Sequence, residues 1–406
     1  MQLEIRALTA PEQLDDPYPF YAALRSQAPV WEVPGTGAYL VSTWERVEEA
    51  LARPADFSSI LESLLIRSDD GGLERFSMAG VATAPDVLAT ADDPEHALHR
   101  GLVQPLLKAS RLEALEPWLA ERAAALIAAQ AGRARIEWTG ALANPLPMQL
   151  VAKLLGLPPA DAPRLVQWAF EGTELLSGTA DRTRMAELAR SAAENAAYLL
   201  QQLAAARRRP GDDLLGALVR AVDAGRLPEK DVVPMLVQLT GAGGESTAGL
   251  LGNAVRRLAD EPELQARLRG DPRALEPFVE EVLRLESPFR GHYRMAARDT
   301  QLGGVALARG APLLLLWASA NRDPAVFPDP DRLDLARPRA TAHLGFGRGL
   351  HFCVGAALAR LEAKIALGAL LARTSHFELD PEDPPAWVPS FFVRRHARLP
   401  LCIAWR

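Results

Sequence analysis

Cysteine is nearly absent: Cys353 and Cys402 are the only two thiols in 406 residues. Two cysteines so far apart give no disulfide framework, which suits a reducing cytoplasm, and they are too few for an iron–sulfur cluster held by four cysteines. Lysine is scarce as well, with Lys108, Lys153, Lys230 and Lys364 standing among 45 basic residues. That bias speaks of a GC-rich genome more than of a function. Positive charge does not dominate either: the formal net charge is -6, which excludes the basic surface normal for nucleic-acid binding. Partners are therefore expected among small molecules and proteins. Long apolar runs are missing. The densest, Pro312 to Trp317, has only strand length, far short of the roughly 18 residues of a membrane span. Met1 to Pro11 lack the basic start and apolar stretch of a secretory signal. No Pro/Gly/Ser linker, charge block or repeat divides the chain, so residues 1–406 are expected to form a single domain, with 49% hydrophobic residues to fill a large core.

Helical periodicity dominates what is present. Apolar residues spaced by three and four predict helices near residues 44–52, 93–108, 111–130, 147–156, 162–178, 183–208, 231–260, 261–269, 274–285 and 354–373. Val30 to Val33 and Ala38 to Ser42, separated by Pro34, Gly35 and Gly37, read as an early hairpin. Further strands are expected between Tyr293 and Trp317 and at the C-terminus, where Leu399, Leu401 and Ile403 alternate. The expected fold class is mainly α with a minor β region.

Cys353 lies in the run Phe346, Gly347, Arg348, Gly349, Leu350, His351, Phe352, Cys353, Val354, Gly355, directly before a helical segment. A thiolate is the metal-binding form, and a helix N-terminus lowers a thiol's pKa. Glycines on both sides let the backbone fold around the sulfur and leave room for a flat ligand. The competing reading is a buried structural thiol; the glycines and His351 weigh against it. A dinucleotide-binding GxGxxG loop fails here, because His351 and Phe352 follow Gly349, and it fails again at Gly241, Ala242, Gly243, Gly244, where Ser246 takes the last place.

This run resembles the haem-ligand signature of the cytochrome P450 superfamily, in which the cysteine is the proximal iron ligand. The resemblance extends from about Asp16 to Trp405. It implies the P450 fold, a helical domain around a buried haem with small antiparallel sheets, in a soluble bacterial, actinobacterial-type protein. The implied cofactor is haem b (iron protoporphyrin IX), with Cys353 as the metal ligand and Phe346, Gly347, Gly355, Ala242 and Gly243 lining it. His96, Arg100, Arg294 and His351 match the positions that hold the two propionates, and arginine suits such bidentate carboxylate contacts.

The segment Asp231 to Asp260 is the longest helical pattern, with Asp231 as a candidate N-cap. Gly241, Gly243 and Gly244 each weaken a helix by about 1 kcal/mol relative to alanine. Two explanations stand: a backbone opened for a ligand, with Gly243 and Gly244 opposite the iron, or close helix packing through small residues. Glu245 and Ser246 resemble the family's acid and alcohol pair that delivers protons to iron-bound dioxygen. Serine replaces the usual threonine, so Thr247 is a candidate to share the role. Glu281 and Arg284 are three apart on one helix face and alone would read as a surface ion pair; by resemblance, with Arg332, they form a buried structural charge network behind the haem loop.

Family topology implies a substrate pocket under residues 58–90 and 164–208, with contacts from Gln238, Gly241, Arg290, Phe392 and Val393. Arg290 would meet an anionic group on the substrate, a propionate or Glu286. The implied reaction is monooxygenation: one atom of O2 enters a small, largely apolar organic substrate, with two electrons from a separate ferredoxin or flavodoxin and its reductase. Arg100, Lys108, Arg111, Arg348, Arg360 and Lys364 would form a basic docking face. A peroxide-using hydroxylase, a haem-thiolate isomerase and a non-catalytic haem sensor or carrier are the competing readings. No membrane partner is expected, and the protein is expected to be a monomer.

Overall fold

The computed structural model describes residues 3–4, 8–69, 71–78, 85–338 and 340–406. Its helices run in chain order as α1 Pro11–Asp15, α2 Tyr18–Gln27, α3 Trp44–Leu51, α4 Glu95–Val103, α5 Ala109–Ala128, α6 Pro145–Leu155 and α7 Ala162–Glu174. Then follow α8 Arg182–Arg208, α9 Leu214–Asp223, α10 Glu229–Asp260, α11 Pro262–Gly270, α12 Leu275–Leu285, α13 Trp317–Ala320 and α14 Ala356–Arg373. Every expected helix is present within a few residues. Helices α1, α2, α9 and α13 were not expected from the sequence, although α9 carries a plain start signal: Asp213 caps it by accepting the Gly216 N–H at 2.8 Å.

The main sheet joins β1 Val30–Val33, β2 Ala38–Val41, β3 Phe57–Ser58, β7 His292–Ala296 and β10 Pro312–Leu315 in the order β1-β2-β10-β7-β3. Its β2–β10 pair is parallel and the others antiparallel. A second sheet, β11-β14-β6, is built from β6 Arg135–Glu137, β11 Thr374–Leu379 and β14 Pro400–Trp405. Two-stranded ladders complete the β structure: β4 Ser63–Arg67 with β5 Leu73–Ser77, β8 Thr300–Leu302 with β9 Val305–Leu307, and β12 Ala386–Trp387 with β13 His396–Arg398.

Helix α10 runs through two hydrophobic cores. Its first half gives Val232, Met235 and Leu236 to a core shared with α6, α7, α8 and α9. Its second half gives Leu250, Leu251, Ala254, Val255 and Leu258 to a core shared with α5, α11, α12, α14 and the second sheet. A helix buried on so many sides is held by packing rather than by propensity, which explains how it tolerates its glycines. The helix starts at Glu229, after Pro228, two residues before the expected cap; the Asp231 carboxylate turns to His99 instead.

The glycines themselves decide between the two readings offered for them. A Cβ on Gly243 would stand 2.6 Å from Val151 Cγ2, and one on Gly244 2.3 Å from Met148 Cε. Both thin α10 toward α6, so close packing explains them and an opening opposite the iron does not. Val151 is stiff about χ1, whereas Met148 Cε is the free end of a flexible chain. Gly243→Ala is therefore expected to lower stability by about 1–3 kcal/mol through overpacking. Gly244→Ala should lie within about 1 kcal/mol of neutral, since Met148 swings aside and alanine favours the helix; urea-unfolding midpoints of the two variants give the comparison.

Candidate active site

The loop before α14 is shaped by glycine where the chain turns. Gly347 and Gly349 take φ of 66° and 74°, which a side chain would strain. Gly347 N–H donates to Leu344 O at 2.8 Å and Phe352 N–H to Gly349 O at 3.1 Å. Cys353 N–H then returns to Phe346 O at 2.9 Å and closes the loop. At Gly355 a Cβ would only touch Cys353 Sγ, at 3.9 Å, so the sulfur does not require a glycine there. One expectation changes: burial pushes the Cys353 thiol up, outweighing the lowering by Gly355 N–H, Arg100 and Arg360. The loop alone does not make the thiolate.

Helix α12 fixes this loop from behind. Arg284 Nε donates to Glu281 Oε1 at 2.7 Å and Nη2 to Oε2 at 2.9 Å, with both side chains fully buried. The third member is Arg337, whose Nε lies 3.0 and 3.1 Å from the two Glu281 oxygens. Arg332 is a correction: it is exposed and lends only its carbonyl, to Arg284 Nη2 at 3.0 Å and Arg337 Nη2 at 2.9 Å. Burial alone would raise Glu281, yet Arg284, the Asp334 N–H and Arg337 hold it below the ordinary carboxylate value. Neighbouring Glu280 accepts from Arg360 on α14 at 2.6 Å and lies 3.2 Å from His343 Nε2. Arg360 in turn covers the Phe346 ring at 4.6 Å.

The four basic residues expected at the rim do converge. The His96 and His351 rings are 4.1 Å apart, Arg100 Nη1 donates to Phe352 O at 2.8 Å, and His351 Nε2 meets Ser59 Oγ at 2.9 Å. His351 is pushed down to about 3, by desolvation first and then by Arg294, His96, His292 and Arg100. Arg294 is 5% exposed. Its hydrogen bond goes to Tyr293 O at 2.7 Å, and burial lowers it to about 10 with only Asp92 acting against that. His292 joins the group unannounced by the sequence; it lies two residues from Arg294 on β7, hence on the same face, and its buried Nδ1 has no hydrogen-bond partner. Among the described residues Asp93 meets His96 at 3.3 Å and Asp92 binds Ser59 N–H at 2.9 Å, but no carboxylate forms an ion pair with Arg294.

Along α10, Gln238, Ala242 and Ser246 follow at i, i+4 and i+8 on one face. Ala242 is exposed midway along α10, between the buried Gly241 and Gly244. Ser246 Oγ donates to Ala242 O at 2.5 Å. Glu245 turns away from that face. Arg395 Nε donates to it at 2.6 Å and Thr173 Oγ1 donates to its other oxygen. Burial raises Glu245 to about 7, against the lowering by Arg395. Neither partner was evident in the sequence, because α7 and the C-terminal segment reach Glu245 only through the tertiary fold. Thr247 is buried in α10.

The expected substrate contacts need revision. Gly241 faces α7, where a Cβ would lie 3.9 Å from Ala169 O and Thr173 Cγ2. Arg290 is 1% exposed; its Nη2 donates to Leu14 O at 2.6 Å and its side chain bonds Tyr21, so it meets neither Glu286 nor the cradle. Glu286 pairs with Arg394 at 3.0 Å, Arg322 at 3.4 Å and Arg257 at 3.5 Å. Phe392 packs in an aromatic cluster with Phe289, Tyr293 and His292, and Val393 bridges to Phe289. Both belong to a core rather than to a pocket wall. Gln238 spends its amide on Ala89 and Thr90. Residues 70 and 79–84 of the expected 58–90 wall lie outside the described residues.

A sequence model of the family described as Cytochrome P450 matches residues 182–402. "Cytochrome P450 144" of Mycobacterium tuberculosis is 43% identical over 97% of this chain and 90% of its own length. The chain belongs to the cytochrome P450 family. A P450 monooxygenase of Streptomyces venezuelae, PikC, is 35% identical over 96% of this chain and 91% of its own. The crystal structure of the Bacillus megaterium P450 CYP109E1, in complex with testosterone, superposes with a TM-score of 0.86 at 28% identity, covering 97% of this chain and 99% of that one. P450 proteins bind haem, and this P450 chain is an oxidoreductase of that kind.

The residues fit the cofactor. His292, His351 and Cys353 keep accessible surface, yet desolvation dominates the acid–base behaviour of all three. Side chains left partly uncovered yet poorly solvated are what the lining of an enclosed void would show. Buried Arg294 without an ion partner is unfavourable and calls for anionic groups where the propionates would lie. No described helix of this P450 is long and apolar enough to cross a membrane.

Removing one partner of a buried pair strands the other charge and costs about 3–5 kcal/mol. Arg337→Met is expected to lose that much stability and most bound haem, whereas Arg332→Ala should change stability by less than about 0.5 kcal/mol. Haem content of purified protein and thermal unfolding check both.

Proposed function

We propose that this P450 is a single-domain, monomeric, cytoplasmic haem-thiolate monooxygenase. It inserts one atom of O2 into a small, largely apolar organic substrate, using two electrons from a separate ferredoxin or flavodoxin and its reductase. The observation that carries this reading is the glycine-shaped Cys353 loop joined to its basic cradle, with Arg100 on the Phe352 carbonyl and the His351 ring beside His96. When bound, haem supplies the oxygen-activating redox chemistry. His96, Arg100, Arg294 and His351 would hold its carboxylates, and His292 would add a fifth donor. Phe346, Gly347 and Gly355 shape the proximal side, and Ala242 leaves the distal side open.

Ser246 can turn its hydroxyl from Ala242 O into the void and donate a hydrogen bond there. Glu245, raised to about 7, changes protonation near working pH, as a proton source should. Thr173 and Arg395 orient it, and Thr247 stands next in line as an alternative hydroxyl. The two-residue pair favours a monooxygenase over a peroxide-using or isomerising P450, and among the described residues the Ala242 face from Gln238 to Ser246 carries no histidine, cysteine or methionine that would ligate a metal as a sensor requires.

Electron-donor docking falls on the Cys353 side. Of the basic residues expected there, Arg111 pairs with Asp212, Arg348 with Glu48 and Arg360 with Glu280. Arg100 is given to the cradle, which leaves Lys108 and Lys364, and the same loop exposes Leu350 and Phe352 by 50% and 41%. Docking is thus read as part apolar, and added salt should slow reduction without abolishing it.

Cys353→Ser should abolish the red-shifted carbon-monoxide band of the reduced protein, while Cys402→Ser leaves it intact; an intact band in Cys353→Ser would sink the reading. With a turnover substrate in hand, Ser246→Ala should separate electron consumption from product formation. Unchanged coupling would remove Ser246 from proton delivery.

A further inference from the structure

Residues 87–89 present three consecutive backbone N–H groups, and each is taken by a side chain. Thr90 Oγ1 accepts from Val87 at 3.2 Å, His99 Nδ1 from Leu88 at 3.4 Å and Gln238 Oε1 from Ala89 at 3.1 Å. The same Gln238 amide donates through Nε2 to Thr90 Oγ1 at 2.9 Å. Accepting at Nδ1 leaves the His99 proton on Nε2, which faces Asp231 Oδ2 at 3.2 Å. Leu88, at φ 43°, occupies the left-handed region, which a leucine keeps only where its surroundings impose it.

The place of this turn gives it meaning. Gln238 stands one helical turn before Ala242 and two before Ser246, on the same face of α10. At the other end Asp92 accepts from Ser59 N–H at 2.9 Å, and Ser59 Oγ meets His351 at 2.9 Å. Residues 87–92 therefore run from the reacting face of α10 to the His351 cradle and bound one side of the space between them. The two tethers differ. His99 and Asp231 are buried, whereas Gln238 is half-buried and the Ala89 it holds is exposed.

We infer that residues 87–92 form a strap along the distal space, and that Gln238 is the positioning residue that fastens it and so limits the size of molecule that reaches Ala242 and Ser246. His99 and Asp231 are the fixed anchor; the Gln238 amide is the fastening that yields. The inference rests on the haem lying between α10 and the Cys353 loop.

The test uses the ferric holoenzyme and two ligands that bind haem iron with a spectral shift, imidazole and a bulky aryl azole, followed by stopped-flow absorbance. Gln238→Met keeps the volume and removes both hydrogen bonds. Its association rate with the bulky azole should rise about tenfold, the effect of a lost hydrogen-bond pair, with the imidazole rate unchanged and faster amide hydrogen exchange at residues 88 and 89. Equal bulky-azole rates in variant and wild type, with normal azole spectra, would overturn the strap and leave the haem reading standing. No azole spectral shift in the wild type would overturn that reading and the strap with it.

Discussion

A carboxylate with no exposed surface, Glu281, is the point from which the proximal half of the molecule is organised. Burying it is unfavourable until donors surround it, and the fold supplies Arg284 from the same helix, the Asp334 N–H and Arg337 from the segment before the cysteine loop. Next to it, Glu280 reaches the other way, to Arg360 on α14 and to His343. Two adjacent carboxylates on α12 thus clamp both sides of the loop that presents Cys353. The loop's own hydrogen bonds set its shape, and these ion pairs set where it stands.

What could be read from the chain divides by the range of the interaction. The cysteine loop was legible because its glycines act within ten residues, and the Glu281–Arg284 pair because it closes within one helical turn. His96, Arg100, Arg294 and His351 were legible through the family pattern, and the fold gathers them. Arg332 was expected where the fold uses Arg337, because the chain alone carries no information on which of two nearby arginines points inward. Arg290, Phe392 and Val393 were placed in a pocket, yet Leu14, Tyr21 and Phe289 enclose them in a core. Thr173 and Arg395 around Glu245, and His292 beside Arg294, have no local signature at all.

Helix α10 reconciles two demands that conflict in most helices. It must be stiff enough to join two cores, and it must give up side chains to chemistry along one face. Packing on α6 allows the glycines without loss of order, while the face carrying Gln238, Ala242 and Ser246 is left free of core contacts. Glu245 sits at the border, desolvated like a core residue and ion-paired like a surface one, which is why its acidity falls in the middle of the physiological range.

The contacts that complete the site join distant parts of the chain. Ser59 meets His351 across 292 residues, Arg100 reaches Phe352 across 252, and Arg395 reaches Glu245 across 150. Loops of that length close late, since their entropy must be overcome before the contacts reward it. On a ribosome, the helices around α6 to α9 can form and pack early, but the haem pocket has no finished wall until residues near the C-terminus emerge. Cofactor capture thereby waits until His351, Cys353 and Arg395 have all emerged, when the chain is long enough to hold what it binds.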